Sequence, residues 1–220
     1  MKSRSIESSR DALTFLGAPG SGKGTLQKNL RVVLGKARDL LAIGTGDILR
    51  DHRERKTALG LQAQQYMDAG KLVPDDVMIP MVSGHVGQLA RSGNKEIPLF
   101  DGFPRTLAQA QMHSDMLEEH GYRNTAVNLD VPTEHFAVLA ERMARRAAED
   151  EAAGRPVRAD DKNPEAVENR LRIAKDTLGD IVAHFEQRGE LITVNALGDP
   201  REICAAVHER LMDLIGAELA

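Results

Sequence analysis

Short apolar runs alternate with longer amphipathic stretches along this chain. Ala12–Leu16 stops at Gly17, Leu40–Ile43 at Gly44, Ile97–Phe100 at Asp101, Ala126–Val131 at Pro132, and Leu191–Val194 at Asn195. Each run is short, rich in Leu or β-branched residues and closed by a turn-forming or polar residue. That is the pattern of a strand buried on both faces. Between the runs, helical spacing predicts helices over Leu59–Ala69, Pro74–Ala90, Leu107–His120, Thr133–Ala153, Pro164–Arg188 and Pro200–Leu219. Asn163 and Asp199 precede Pro164 and Pro200, so each pair reads as an N-cap followed by a first-turn proline. The alternation predicts an α/β fold, a five-stranded parallel sheet with helices on both faces. The residues just after each strand then line the ligand crevice. Two segments break the rhythm: 44–73 is helical with little room for a strand, and 145–161 is charged, small and interrupted by Gly and Pro. Both are expected as inserts over the crevice, within one domain spanning 12–220 behind a disordered lead-in at 1–11.

Composition narrows the class. The chain has 220 residues, 41% of them apolar, enough for a single core. With five Phe, two Tyr and no Trp, that core must be aliphatic. A net charge of −4 argues against a nucleic-acid binder, which needs a basic surface. No apolar run is long enough to span a bilayer, so no membrane partner is expected, and the polar start does not read as a secretory signal. The single cysteine, Cys204, cannot form an internal disulfide and suits a reducing cytoplasm. The seven histidines are scattered, without metal-ligand spacing.

Candidate chemistry sits after the first and third strands. Gly17-Ala18-Pro19-Gly20-Ser21-Gly22-Lys23-Gly24-Thr25 lies between a strand and a helix. Glycines let several N–H groups point inward, the helix start adds positive potential, and Lys23 reaches β- and γ-phosphates. The residue after the lysine is Gly24, so the hydroxyl that commonly holds Mg²⁺ is displaced to Thr25. Magnesium is then expected to be held through water and Asp101. In Asp101-Gly102-Phe103-Pro104-Arg105 the acid follows a strand, Gly102 lets a ligand approach the backbone, and Arg105 offers a phosphate fork. Arg142 and Arg146 share a helix face, where like charges repel until an anion arrives. Arg155, Arg158 and Arg170 complete the cationic set.

GAPGSGKGT at 17–25, TGDILR at 45–50, GKLVPDD at 70–76, DGFPRTLAQ at 101–109, RMARR at 142–146, RADD at 158–161 and VNALGD at 194–199 together resemble the adenylate kinases of the nucleoside monophosphate kinase family. The resemblance covers nearly everything after residue 11. It implies a phosphate-loop NTPase-like sheet with an AMP-binding insert at 44–73 and a short lid at 145–161. It implies that Gly20, Ser21, Gly22, Lys23, Gly24 and Thr25 hold the ATP phosphates, with Arg142 beside them and Gly198 along the ATP base. Thr45, Arg50, Lys71, Leu72, Val73, Gly102, Phe103, Pro104, Arg105 and Gln109 would line the AMP site. Arg142, Arg146, Arg158 and Arg170 would gather round the transferring phosphoryl group, the latter two also reaching AMP. Lys23 and Arg105 complete the catalytic set. The implied partners are ATP, AMP and ADP with Mg²⁺, acting on a monomer. A lid without cysteine implies no zinc.

The chain also departs from the family pattern. The lid is longer than short lids usually are, and it carries Glu149-Asp150-Glu151. Arg155 follows Gly154, as in short-lid relatives, but Arg158 keeps the distance to Asp160-Asp161. Arg158 is therefore the expected phosphate ligand, and the acidic run gives Arg155 a structural partner nearby. Two rival readings remain. A UMP/CMP kinase shares the chemistry, but relatives of that kind usually carry Ala where Thr45 stands. A nucleotide-binding module without catalysis predicts gaps in the arginine set.

Overall fold

The computed structural model describes residues 10–34, 40–68, 73–92, 96–155, 157 and 159–216. Five strands, β1 (Arg10–Leu16), β2 (Leu40–Gly44), β3 (Ile97–Asp101), β4 (Tyr122–Asp130) and β5 (Leu191–Asn195), form one sheet in the order β2-β3-β1-β4-β5. Every pairing is parallel. The helices are α1 (Lys23–Leu34), α2 (Thr45–Glu54), α3 (Ala58–Asp68), α4 (Asp75–Arg91), α5 (Leu107–Glu119), α6 (Phe136–Ala152), α7 (Ala159–Lys162), α8 (Pro164–Gln187) and α9 (Pro200–Gly216).

Side-chain alternation along β1 sorts these helices onto two faces. Leu13 and Phe15 pack with Leu26 and Leu30 of α1 and Val207 and Leu211 of α9. Ala12 and Leu16 point the other way. Ala12 joins a cluster with Met81 and Val82 of α4 and Leu117 of α5, and Leu16 meets Ala110 of α5 and Phe185 of α8. Leu13, Leu30, Leu99, Leu129 and Leu211 are at most 1% exposed, so the core is mainly aliphatic, but Phe100 and Phe185 are fully buried as well and are its largest side chains.

Local boundaries differ from the sequence reading where long-range partners intervene. β1 starts at Arg10, inside the expected lead-in: the Arg10 N–H donates to the Gly121 carbonyl, and Asp11 pairs with Arg123. β4 starts at Tyr122 rather than Ala126, because its polar first turn is buried against β1, with Thr14 Oγ1 donating to Asn124 Oδ1 at 2.7 Å. The stretch expected to be helical from Thr133 opens with a 3₁₀ turn at Thr133–His135 before α6. Both expected caps form: Asn163 accepts from Glu165 and Ala166, and Asp199 accepts from Arg201.

Candidate active site

All five strands run in one direction, so their carboxyl ends share one rim of the sheet. On that rim Phe15 of β1 and Gly44 of β2 both stand opposite Asp101 of β3. The loop after β1 and the pentapeptide after β3 are therefore neighbours, although a long stretch of sequence separates Thr25 from Asp101.

The first loop curls as an anion cradle must. Gly20 has φ +82°, and an added Cβ would lie 2.7 Å from the Leu139 carbonyl of α6, so only glycine fits there. Ser21 is buried and its Oγ has no hydrogen-bond partner, an orphaned polar atom suited to a phosphate oxygen. Lys23 opens α1 and donates to the carbonyls of Gly17 at 2.6 Å and Ala18 at 3.1 Å. Desolvation pulls its pKa down to about 8; Asp101 opposes this, while Arg105, Arg170 and Arg146 add to it. The charges of all four side chains are thus felt at one lysine. Gly22 is half-buried, and Gly24 and Thr25 are exposed at the mouth of the loop.

After β3, Gly102 has φ +81°, and an added Cβ would meet Arg105 Nη2 and Thr45 Oγ1, each at 3.1 Å. The Arg105 Nε donates to the Gly102 carbonyl at 2.8 Å and leaves the guanidinium exposed at the rim. Beside it lies a cavity of about 160 Å³. Thr45, Val73, Gly102, Phe103, Arg105 and Gln109, all expected at the acceptor site, line it. Pro104 is buried next to them. Arg50 is held by Asp47 and is largely exposed. Lys71 and Leu72 lie outside the described residues.

The arginines divide. Arg146 and Arg170 converge on Asp161, whose side chain is 2% exposed, each taking a different oxygen. Burial alone would raise the Asp161 pKa, but the hydrogen bonds from the two arginines outweigh it and hold the carboxyl below its usual range. Arg142 turns instead to the loop after β5, donating to the Ala196 carbonyl at 2.9 Å, two residues before the exposed Gly198. Arg155 pairs with Asp150, the acidic run that sequence offered it. Arg158 lies outside the described residues.

Two acids went unassigned in the sequence. Asp161 is the hub of the arginine pair, and Asp75 accepts from Thr106 and Gln109 at the edge of the cavity. Each stands in an Asp-Asp step of a motif already quoted, where first-turn acids are ordinary. Among the described residues no cluster of three or more His, Cys, Asp or Glu is placed to hold a metal ion. Among them, too, no helix is long and apolar enough to cross a membrane.

A family model described as adenylate kinase matches residues 15–190. The adenylate kinase of Deinococcus radiodurans is 39% identical over 207 residues, 94% of this chain and 97% of that protein. That of Thermus thermophilus is 40% identical over 201 residues, covering 91% and 96% of the two chains. That of Xylella fastidiosa is 37% identical over 192 residues, covering 87% and 94%. The matched span takes in the phosphate loop, the cavity beside Gly102 and the arginine pair, and the chain belongs to the adenylate kinase family.

Proposed function

We propose that this chain performs the reversible transfer of a phosphoryl group from ATP to AMP, giving two ADP, at the rim shared by β1 and β3. The carrying observation is the register that sets Phe15 opposite Asp101, which puts an anion cradle next to a separate small cavity. One holds the donor phosphates and the other the acceptor.

On the donor side, Gly20 to Thr25 would wrap the ATP phosphates, while Arg142 steadies the loop carrying Gly198 along the base. On the acceptor side, Thr45, Val73, Phe103 and Gln109 would enclose the AMP base, with Arg50 and Arg105 on its phosphate. Residues 44–73 would serve as the acceptor insert and 145–161 as the lid. An AMP phosphate oxygen is already a nucleophile at neutral pH, so no general base is needed. It attacks the γ-phosphorus in line, the bond to the β–γ bridging oxygen breaks, and ADP leaves without a covalent enzyme intermediate. Lys23, Arg105, Arg146 and Arg170 stabilise the charge spread over the equatorial oxygens. Their shared influence on Lys23 supports that grouping. Mg²⁺ bound with ATP would supply further charge neutralisation, and Asp101, a hard oxygen donor at the end of β3, would hold it through water. No zinc is called for. The enzyme is read as a cytoplasmic monomer acting on ATP, AMP and ADP.

A coupled assay with AMP, UMP, CMP and GMP as acceptors tests the reading. AMP should exceed the pyrimidine acceptors at least a hundredfold in kcat/KM, and Thr45→Ala should lower the AMP/CMP ratio, since Thr45 is buried against Gly102 at the cavity. Equal turnover of UMP and AMP would replace the acceptor assignment. Failure to turn over any of the four would leave a binding module.

A further inference from the structure

The cavity beside Gly102 contains a polar device that phosphoryl transfer itself does not use. Gln109 is 5% exposed, and its amide is held at both ends. Its Nε2 donates to Asp75 Oδ1 at 2.6 Å, and its Oε1 accepts from the Arg105 backbone N–H at 2.7 Å. Asp75 is held in turn: Thr106 Oγ1 donates to its other oxygen at 2.8 Å and accepts from the Gln109 backbone N–H at 3.1 Å. Asp75 opens α4 and Thr106 caps α5, so the network ties two helix starts together.

The two partners of the amide are opposite in kind, and neither can change. A carboxylate only accepts, and a backbone N–H only donates. Turning the Gln109 amide over would set oxygen against oxygen at Asp75 and N–H against N–H at Arg105. In a buried place both mismatches are costly. The amide therefore has one polarity. One of its N–H groups and one of its oxygen lone pairs remain for a ligand, in a fixed order.

We infer that Asp75, by locking this polarity, makes the acceptor site choose a 6-aminopurine over a 6-oxopurine. The inference rests on the proposed reading that Gln109 meets the acceptor base. A 6-aminopurine presents an amino donor beside the N1 acceptor, which complements the free oxygen and N–H. A 6-oxopurine presents an oxygen beside an N1–H, and meets oxygen with oxygen and N–H with N–H. An unrestrained amide would turn over and serve both. Asp75 touches no reacting atom and is a positioning residue.

The test is kcat/KM with AMP and with GMP for the parent, Asp75→Asn, Gln109→Ala and the double variant. Asparagine at 75 can offer either a donor or an acceptor, which releases the lock. The AMP/GMP ratio should fall at least tenfold in Asp75→Asn, with the GMP value unchanged or raised. It should also fall in Gln109→Ala, and adding Asp75→Asn there should shift it less than twofold. A merely structural Asp75 would lower both acceptors alike; an unchanged ratio in Asp75→Asn beside a fallen one in Gln109→Ala overturns the lock and keeps the base reading. An unchanged ratio in Gln109→Ala overturns the base reading and the lock with it. If Asp75→Asn melts below the assay temperature, Thr106→Val, which removes the donor steadying Asp75, should lower the ratio at least threefold, and no change there overturns the lock.

Discussion

The ammonium of Lys23 donates to the carbonyl of Gly17 at 2.6 Å, so its charge is turned on the backbone of its own loop. Desolvation has brought its pKa down to about 8, against the pull of Asp101. A phosphate placed against it adds negative charge and raises the pKa again. At pH 8, where about half of Lys23 is neutral, ATP binding should take up about half a proton. The uptake should shrink as pH falls towards 7. Titration calorimetry in two buffers of different ionisation enthalpy reads it directly, and no uptake at pH 8 would detach Lys23 from the phosphates.

Lys23→Met separates the fold from the chemistry. The folded pKa lies below the unfolded 10.5, so the unfolded chain holds more protons between about 8 and 10.5. The contribution of this group to stability therefore rises with pH across that window, and its buried charge is a cost below it. Methionine removes that cost, so the melting temperature at pH 7 should hold or rise. Turnover should fall at least a hundredfold, about 2.7 kcal/mol in barrier. Turnover within threefold of the parent would dismiss Lys23 from the site.

Asp161→Asn should leave Arg146 and Arg170 facing each other without the charge between them. The expected loss is roughly 1–3 kcal/mol of stability at pH 7. Because the folded carboxyl lies below the ordinary 3.8, its contribution is present above that value and fades as pH falls through the folded pKa. The stability gap between parent and variant should thus be flat from pH 8 to about pH 5 and close below about pH 4. Denaturant melts across that range decide it; a gap that widens in acid contradicts the ion-pair account.

His113 predicts a second acid effect. Thr14 Oγ1 gives its proton to Asn124, so it accepts from His113 Nε2–H at 2.8 Å, and His113 Nδ1 has no partner. Desolvation, with some repulsion from His184, brings the His113 pKa down to about 3. The unfolded chain binds this proton near pH 6.5, so stability should fall as pH drops below 6.5, by at most about 1.4 kcal/mol per unit from this residue. His113→Gln keeps a donor for Thr14 and should remove that slope. An unchanged slope between pH 6.5 and 4.5 would place the acid sensitivity elsewhere, with His184 the nearest alternative.

Arg155→Ala should be mild. Its guanidinium is bound to Asp150, and its side chain is 59% exposed. Exposed pairs contribute roughly 0–1 kcal/mol, so kcat should stay within about fivefold. A hundredfold loss would move the lid phosphate ligand from Arg158 to Arg155.

Much of this was legible in the chain because it is local. Five strands ended where Gly or a polar residue interrupts the apolar run, and the Asn163 and Asp199 caps formed as their positions announce. What stayed hidden depends on partners far away in sequence. Tyr122–Thr125 lies outside the apolar run that marks the strand, and joins it because Thr14 and Asp11 supply hydrogen bonds from across the sheet. Asp75 looks like any first-turn acid, yet its partners are 31 and 34 residues downstream. The arginines read as one group because their charge is local, whereas the division between Asp161 and Ala196 is set by the packing of α6, α7 and α8.

The residues that enclose the cavity beside Gly102 all fall between Thr45 and Gln109. The phosphate loop precedes that stretch, and Arg142, Arg146, Asp161 and Arg170 follow it. On the proposed reading, acceptor preference is thus carried on a single contiguous cassette, bracketed by the phosphate loop on one side and the arginine pair on the other. One crossover just after β2 and another within α5 would transplant the whole base pocket between relatives, the Asp75–Gln109 pair included. No comparable cut could exchange the donor half, whose pieces lie on both flanks. In a lineage that recombines, the choice of acceptor would therefore change in one event, with Asp101 and Arg105 carried along and the phosphate loop and the arginine pair inherited as a frame around them.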